Sequence, residues 1–343
     1  MTDSLPRIAV TMGDPAGIGP EICLRLLAEE TATSQCIPVV FGDAAVLNAC
    51  AEMTGLPAPK RVITKADWPG AHRQIDSPAV YDLAAITMDD FTPGAINGKT
   101  GYASYRYIEE AIRAALAGEI DGISTAPINK EALFMGGVKF PGHTEIFAAK
   151  TEAKRACMML TSDELTCGFV TTHIGYHEVP GRLTQERILD VIELVAEAVG
   201  QLRGHPPKLV VNGLNPHAGE NGLFGQQEEE TFIIPAIETA RKRGHQIEGP
   251  LPPDTAFLPR RRKETDAFIC MYHDQGHIPL KMLAFDSAIN ITLGLPIIRT
   301  SVDHGTALDI AWQAKADANS LYESVRLAAR LATARQAESS VAT

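Results

Sequence analysis

Positive charge is in short supply in this chain: 31 Lys and Arg stand against 42 Asp and Glu, a formal charge of −11 over 343 residues. A surface that acidic argues against a nucleic-acid partner, although a local basic pocket can still take a small anion. Long apolar runs are missing too. None approaches the roughly 20 residues that a membrane helix needs, so no membrane partner is expected. Residues 1–12 carry an acid early and lead straight into a strand-like run, which is not the pattern of a signal peptide. The six cysteines, Cys23, Cys36, Cys50, Cys157, Cys167 and Cys270, form no C-x-x-C pair and sit mostly in apolar surroundings. They read as reduced, buried thiols of a cytoplasmic protein. Walker A, G-x-S-x-G and kinase signatures are absent, as are internal repeats and low-complexity linkers.

Hydrophobic residues make up 45% and charged residues 21%, a globular balance that excludes disorder, collagen and a disulfide scaffold. At about 150 residues per domain the length suggests two domains. Strand-like runs at residues 7–12, 38–41, 80–83, 122–125, 209–211 and 268–272 alternate with helical patterns at 20–30, 44–53, 102–117 and 183–202. Within 102–117, Tyr107, Ile108, Ile112 and Leu116 make one apolar stripe, and Gly118 stops the helix. Residues 57–69 read as loop decoration, and the polar tail from about Arg335 as frayed. The alternation argues for an α/β fold with a largely parallel sheet, which binds ligands at the carboxyl ends of its strands.

The residues just past each strand are therefore the ones to inspect. The first strand leads into Gly13-Asp14-Pro15-Ala16-Gly17-Ile18-Gly19-Pro20-Glu21, with Pro20 suited to a first helical turn. This turn is either a tight connection or an anion site, and it lacks Rossmann spacing. Four of the ten histidines, His173, His217, His273 and His304, stand just past strand-like runs. Each alone reads as a structural hydrogen-bonder. Three neutral imidazoles together would hold a divalent metal with positions open for substrate. His177 and His277 lie near them as candidate supporting groups. His143 and Thr144 open a helical run after Gly142, and Lys281, Asn290 and Arg299 lie in the C-terminal half. A cation such as Arg299 at a buried strand needs either an internal carboxylate or a substrate phosphate.

Together these segments closely resemble the 4-phosphohydroxy-L-threonine dehydrogenase family of pyridoxal phosphate biosynthesis. The resemblance rests on the Thr11–Glu21 stretch, Phe140-Pro141-Gly142-His143-Thr144-Glu145, Thr171-Thr172-His173, Asn215-Pro216-His217-Ala218-Gly219-Glu220, Pro252-Pro253-Asp254-Thr255, Tyr272-His273-Asp274-Gln275-Gly276 and Arg299-Thr300-Ser301-Val302-Asp303-His304-Gly305. It implies two α/β/α domains with an interdomain cleft, like isocitrate and isopropylmalate dehydrogenases and unlike a standard Rossmann fold. The expected division is 1–127 plus about 305–335, and 128–304. It implies a homodimer whose active site takes residues from both subunits. His173, His217 and His273 match the metal ligands (zinc, magnesium, cobalt or manganese). His143, Thr144, Lys281, Asn290 and Arg299 match the substrate positions, and Asp254 and Lys281 are the catalytic candidates. NAD, or NADP, would take a hydride from the 3-hydroxyl carbon of a small 4-phosphorylated hydroxy acid, and the β-keto acid would lose CO₂. No cofactor-binding residue is assigned. Gly276-His277-Ile278-Pro279 and Asn221-Gly222-Leu223-Phe224 are similar to a branch acting on 4-phospho-D-threonate or 4-phospho-D-erythronate. The alternatives are the vitamin-biosynthetic amino acid, an aromatic cis-dihydrodiol, a metal-dependent phosphatase and a non-catalytic sugar-phosphate sensor.

Overall fold

A computed structural model describes residues 5–284 and 288–341 of the chain. The first strand, β1 (Arg7–Thr11), alternates its side chains between two cores: Ile8 and Val10 enter one, Ala9 the other. A strand buried on both faces belongs in the middle of a parallel sheet. β1 lies there, between β2 (Ile37–Gly42) and β5 (Gly122–Thr125), with β4 (Ala79–Asp82), β3 (Val62–Thr64) and β12 (Arg299–Ser301) completing the order β3-β4-β2-β1-β5-β12, all parallel. These strands belong to a unit made of Met1–Ala153 and Leu295–Thr343. The helix Gly19–Ala28 follows β1 with Pro20 in its first turn, as its sequence suggests. In the helix Gly98–Leu116, Tyr107, Ile108 and Ile112 are buried as the stripe predicts, while Leu116 at its end is exposed.

The second unit is Lys154–Gly294. It contains β6 (Cys157–Thr161), β7 (Thr166–Phe169), β8 (Lys208–Asn212), β9 (Gln246–Leu251), β10 (Ala267–Cys270) and β11 (Ile289–Leu293) in the order β11-β6-β7-β10-β8-β9. The β11-β6-β7 pairings are antiparallel, and the pairings from β7 to β9 are parallel. Its long helix, Gln185–Arg203, starts where the Thr184 hydroxyl accepts from the Arg187 N–H and ends at Gly204 in the left-handed conformation. The fold is thus α/β with mostly parallel strands, and each unit carries three buried cysteines outside any disulfide: Cys23, Cys36 and Cys50, then Cys157, Cys167 and Cys270.

Three expectations are corrected. Residues 57–69 are not decoration: β3 adds an edge strand there, and Trp68 is buried and stacks on Tyr81 at 4.1 Å. A three-residue strand is too short to leave a periodic signal. The tail past Arg335 stays helical to Val341, and the Gln336 amide donates to Asp121. The division also differs from the expected boundaries, because 128–153 and 295–304 pack within the first unit. The helix Lys130–Met135 lies against Gly98–Leu116, where Gly101 meets the Ala132 backbone so closely that no Cβ fits, and β12 pairs with β5. Among the described residues no helix is long and apolar enough to cross a membrane.

Candidate active site: strand-end histidines and an anion pocket

Neighbouring parallel strands β7, β10 and β8 each lead to a histidine just past the strand end: His173 in the loop after β7, His273 at the start of the helix after β10, and His217 in the loop after β8. Carboxyl ends of adjacent parallel strands are where such sheets hold ligands. Polar side chains tie the three segments together. Thr171 Oγ1 donates to the Met271 carbonyl at 2.7 Å. Buried Gln275 accepts from the Met271 N–H at 2.7 Å and donates to the Gly213 carbonyl at 2.8 Å. The rings of His173 and His273 lie 5.7 Å apart and line a cavity of about 210 Å³ with Thr172, Tyr176, Tyr272 and Asp274.

Two of the rings lie against carboxylates. His273 Nδ1 is 2.6 Å from Asp274 Oδ1, and the Tyr176 hydroxyl donates to the other oxygen. Those two bonds, Tyr176 first, hold the Asp274 carboxyl below the usual carboxylate range. His217 Nδ1 is likewise 2.6 Å from Glu220 Oε2. The Glu220 hydrogen bond, with its charge and that of Asp254 adding, raises the His217 pKa. A histidine that gives Nδ1–H to a carboxylate keeps its lone pair on Nε2, the form that ligates metals. His277 is buried, stacks on His273 with centroids 3.5 Å apart, and sets its Nδ1 2.9 Å from the His273 carbonyl. Burial lowers its pKa to about 4. It therefore supports the His273 ring, and its Nδ1 is occupied within its own helix.

The donor chemistry of these residues suits a divalent metal, with two of the three rings oriented by carboxylates. Closure is another matter. Among the described residues no group of three or more His, Cys, Asp or Glu is close enough to hold an ion. His173 and His273 form a pair, and His217 sits on its own loop. Lys281 lies exposed on the helix His273–Ala284, and Asp254 is exposed in the helix Pro253–Ala256. Asn290, on β11, donates to Met158 Sδ, and its buried Oδ1 has no hydrogen-bond partner.

The first unit holds the other expected residues, His143, Thr144 and Arg299. Arg299 is 2% exposed. Its Nη2 donates to Thr125 Oγ1 at 2.8 Å, and its guanidinium lies 5.4 Å from the Phe147 ring centroid. Burial pulls its pKa down to about 9 against the opposing charge of Glu145. His143 opens the helix His143–Lys150, with Thr144 next to it. Burial first, then the charges of Arg299 and Lys130, hold its pKa well below the usual 6.5, and its buried Nε2 has no hydrogen-bond partner. A desolvated guanidinium, a second cation and an unsatisfied imidazole nitrogen make a place for an anion. Lys130 escapes a reading of the sequence alone. It comes after Thr125-Ala126-Pro127 at the end of β5, and a strand-end lysine is the available signal. Gln275 and the acidic pair Glu228 and Glu229 escape it as well, because loop anchoring leaves no periodicity.

Comparison with known proteins defines the class first. The 4-hydroxythreonine-4-phosphate dehydrogenase structure from Klebsiella pneumoniae matches with a TM-score of 0.84 at 40% identity, covering 97% of this chain and 99% of that one. The D-threonate 4-phosphate dehydrogenase of Cupriavidus necator is 44% identical over 335 residues, covering 98% of this chain and 100% of the relative. The 4-hydroxythreonine-4-phosphate dehydrogenase of Desulforapulum autotrophicum is 44% identical over 340 residues, with 97% of each chain covered. The chain is accordingly an oxidoreductase acting on a CH–OH group, a dehydrogenase that works with a nicotinamide cofactor. Residues 34–328 match the family described as Pyridoxal phosphate biosynthetic protein PdxA, and the chain belongs to that family.

Proposed function

We propose that this dehydrogenase oxidises 4-phospho-D-threonate or 4-phospho-D-erythronate at the 3-hydroxyl with NAD, and that the β-keto acid formed then decarboxylates. The observation that carries this reading is the placement of His173, His273 and His217 just past three adjacent strand ends, two of them oriented through Nδ1. Those imidazoles would hold one divalent cation (zinc, magnesium, cobalt or manganese), with donors from two copies of the chain in a homodimer completing the set. When bound, the cation favours loss of the hydroxyl proton and the nicotinamide accepts the hydride. His143, Thr144 and Arg299 hold the phosphate, where the buried guanidinium supplies charge already stripped of water. Anchoring that remote group orients the reacting carbon. The Lys281 ammonium stabilises the enolate left when CO₂ departs, and Asn290 Oδ1 accepts a substrate hydroxyl. Asp254 adds a carboxylate whose charge reaches His217. The protein works in the cytoplasm on this reading.

The relatives' names divide between the sugar acid and the vitamin-biosynthetic amino acid at equal identity. Measuring NADH formation from 4-phospho-D-threonate, 4-phospho-D-erythronate and 4-phosphohydroxy-L-threonine, at one metal and NAD concentration, decides between them. The expected result is a higher kcat/KM for one of the sugar acids. A clear preference for the amino acid overturns the assignment.

A further inference from the structure

The loop that carries His217 has an unusual backbone. Six consecutive residues, His217, Ala218, Gly219, Glu220, Asn221 and Gly222, all have positive φ: 54°, 53°, 81°, 45°, 57° and 84°. Left-handed residues normally occur singly, because Cβ then crowds the following carbonyl. A run of six, four of them not glycine, persists only where the surroundings over-determine it. Backbone hydrogen bonds within the loop, from the Ala218 N–H to the Asn215 carbonyl at 3.1 Å and from the Phe224 N–H to the Gly219 carbonyl at 3.0 Å, close it, and one buried side chain anchors its base. Glu229 is fully buried inside the loop. Its Oε1 accepts from the Leu214 N–H at 2.8 Å and the Asn215 N–H at 2.7 Å, and its Oε2 accepts from Asn215 Nδ2 at 2.8 Å. All three of these hydrogen bonds to its carboxylate come from N–H groups of this loop. A Cβ added at Gly219 would come within 2.8 Å of Oε2, and one at Gly213 within 3.1 Å of Oε1, so the carboxylate fills the space between the two arms. Glu228 backs it by accepting from the same Asn215 amide at 2.9 Å and from the Gln226 N–H at 2.7 Å. The acid also begins the wide helical turn Glu229–Ile233, a form that recurs at functional sites.

We propose that Glu229 is the positioning residue of His217: its buried carboxylate draws Leu214 and Asn215 inward and so fixes the left-handed run that presents the imidazole. The role rests on the reading of His217 as a metal ligand. Glu229 itself touches neither metal nor substrate. Glu229→Gln keeps the shape but turns an NH₂ toward N–H donors that need an oxygen.

The test uses the metal-stripped full-length protein titrated with Co²⁺ by calorimetry, with the cobalt absorption spectrum as a second readout. Glu229→Gln is expected to weaken Co²⁺ binding by about ten- to hundredfold, the usual effect of losing a group that orients a ligand. The cobalt band should change, and hydrogen exchange at the Leu214 and Asn215 amides should speed up. Activity should return toward the wild-type kcat at saturating metal, which a loss of catalysis would not allow. Gly219→Ala, which pushes on the same carboxylate from the loop side, is the second variant, and serves if Glu229→Gln does not fold. His217→Ala separates the two readings. If it binds Co²⁺ as tightly as the wild type, His217 is not a ligand, and the metal assignment and this proposal both fall. If His217→Ala loses the metal while Glu229→Gln and Gly219→Ala keep wild-type affinity, spectrum and exchange, the positioning role alone is overturned.

Discussion

The two clusters of candidate site residues, one in each unit, are built on opposite plans. In the first unit, the candidate cation is part of the core: Arg299 sits on a buried strand, braced by Thr125 and Phe147, with its guanidinium out of water. In the second unit, the histidines stand just past the strand ends, two on loops and one at a helix start, and His217 and His273 are oriented by carboxylates. The electrostatics differ in the same way. His143, among cations, is held below its usual pKa, whereas His217, beside Glu220, is held above it.

The largest effect that sharpens this contrast is expected from His273→Ala. It should lower turnover by more than the roughly 10–100-fold that accompanies loss of an outer partner, and remove bound divalent metal, while phosphate still stabilises the folded protein. Metal analysis and a thermal melt with and without phosphate check it, and retained turnover would break the division of labour. Arg299→Met should do the converse. Substrate kcat/KM is expected to fall about ten- to hundredfold, the worth of a charge-assisted hydrogen bond of about 1.5–3 kcal/mol, and stabilisation by phosphate should vanish with Co²⁺ affinity unchanged. Equal use of a dephosphorylated acid would undo that reading.

The third expectation concerns pH, and its sign differs between the units. His143 has its folded pKa below 6.5, so the unfolded chain binds the proton more tightly. Its share of stability is present above pH 6.5 and is lost as pH falls toward its folded value. His217 has its folded pKa above 6.5, so its small share is present below that pH and is lost as pH rises through the raised value. In the metal-free protein, imidazole titration by NMR should place the two midpoints on opposite sides of 6.5. The pH–Tm curves of His143→Gln and His217→Gln should depart from wild type on opposite limbs. Matching midpoints would mean the two environments are not as different as their neighbours suggest.

Much of the frame is written plainly in the chain. The strand at residues 122–125 and the helix at 44–53 need only apolar spacing and a capping glycine, and both occur nearly as read, as Gly122–Thr125 and Ala44–Thr54. The helix His273–Ala284 is hidden because Gly276 and Pro279 both disfavour helix. Gly276 is there for packing, since a Cβ would strike Phe169 and the Cys270 sulfur. The site divides similarly. Histidines after apolar runs are visible because the run predicts a strand and the strand end predicts a place for ligands. Gln275 and Glu229 are invisible because what they do depends on which backbone groups the fold leaves unsatisfied nearby, and Lys130 because its charge matters only where the fold brings it near His143; no spacing rule encodes either.

The six buried cysteines have one more consequence. Burial pushes the thiols of Cys36, Cys50 and Cys157 up to about 12 and raises those of Cys23 and Cys167 as well. Thiolate chemistry is therefore closed to them while the chain is folded. With three buried cysteines in each unit, the protein carries its own pair of clocks. A thiol reagent added under native conditions can react only when a region opens, so the rate at which each trio is labelled times the breathing of its unit. Phosphate should slow the clock of Cys23, Cys36 and Cys50, and divalent metal that of Cys157, Cys167 and Cys270.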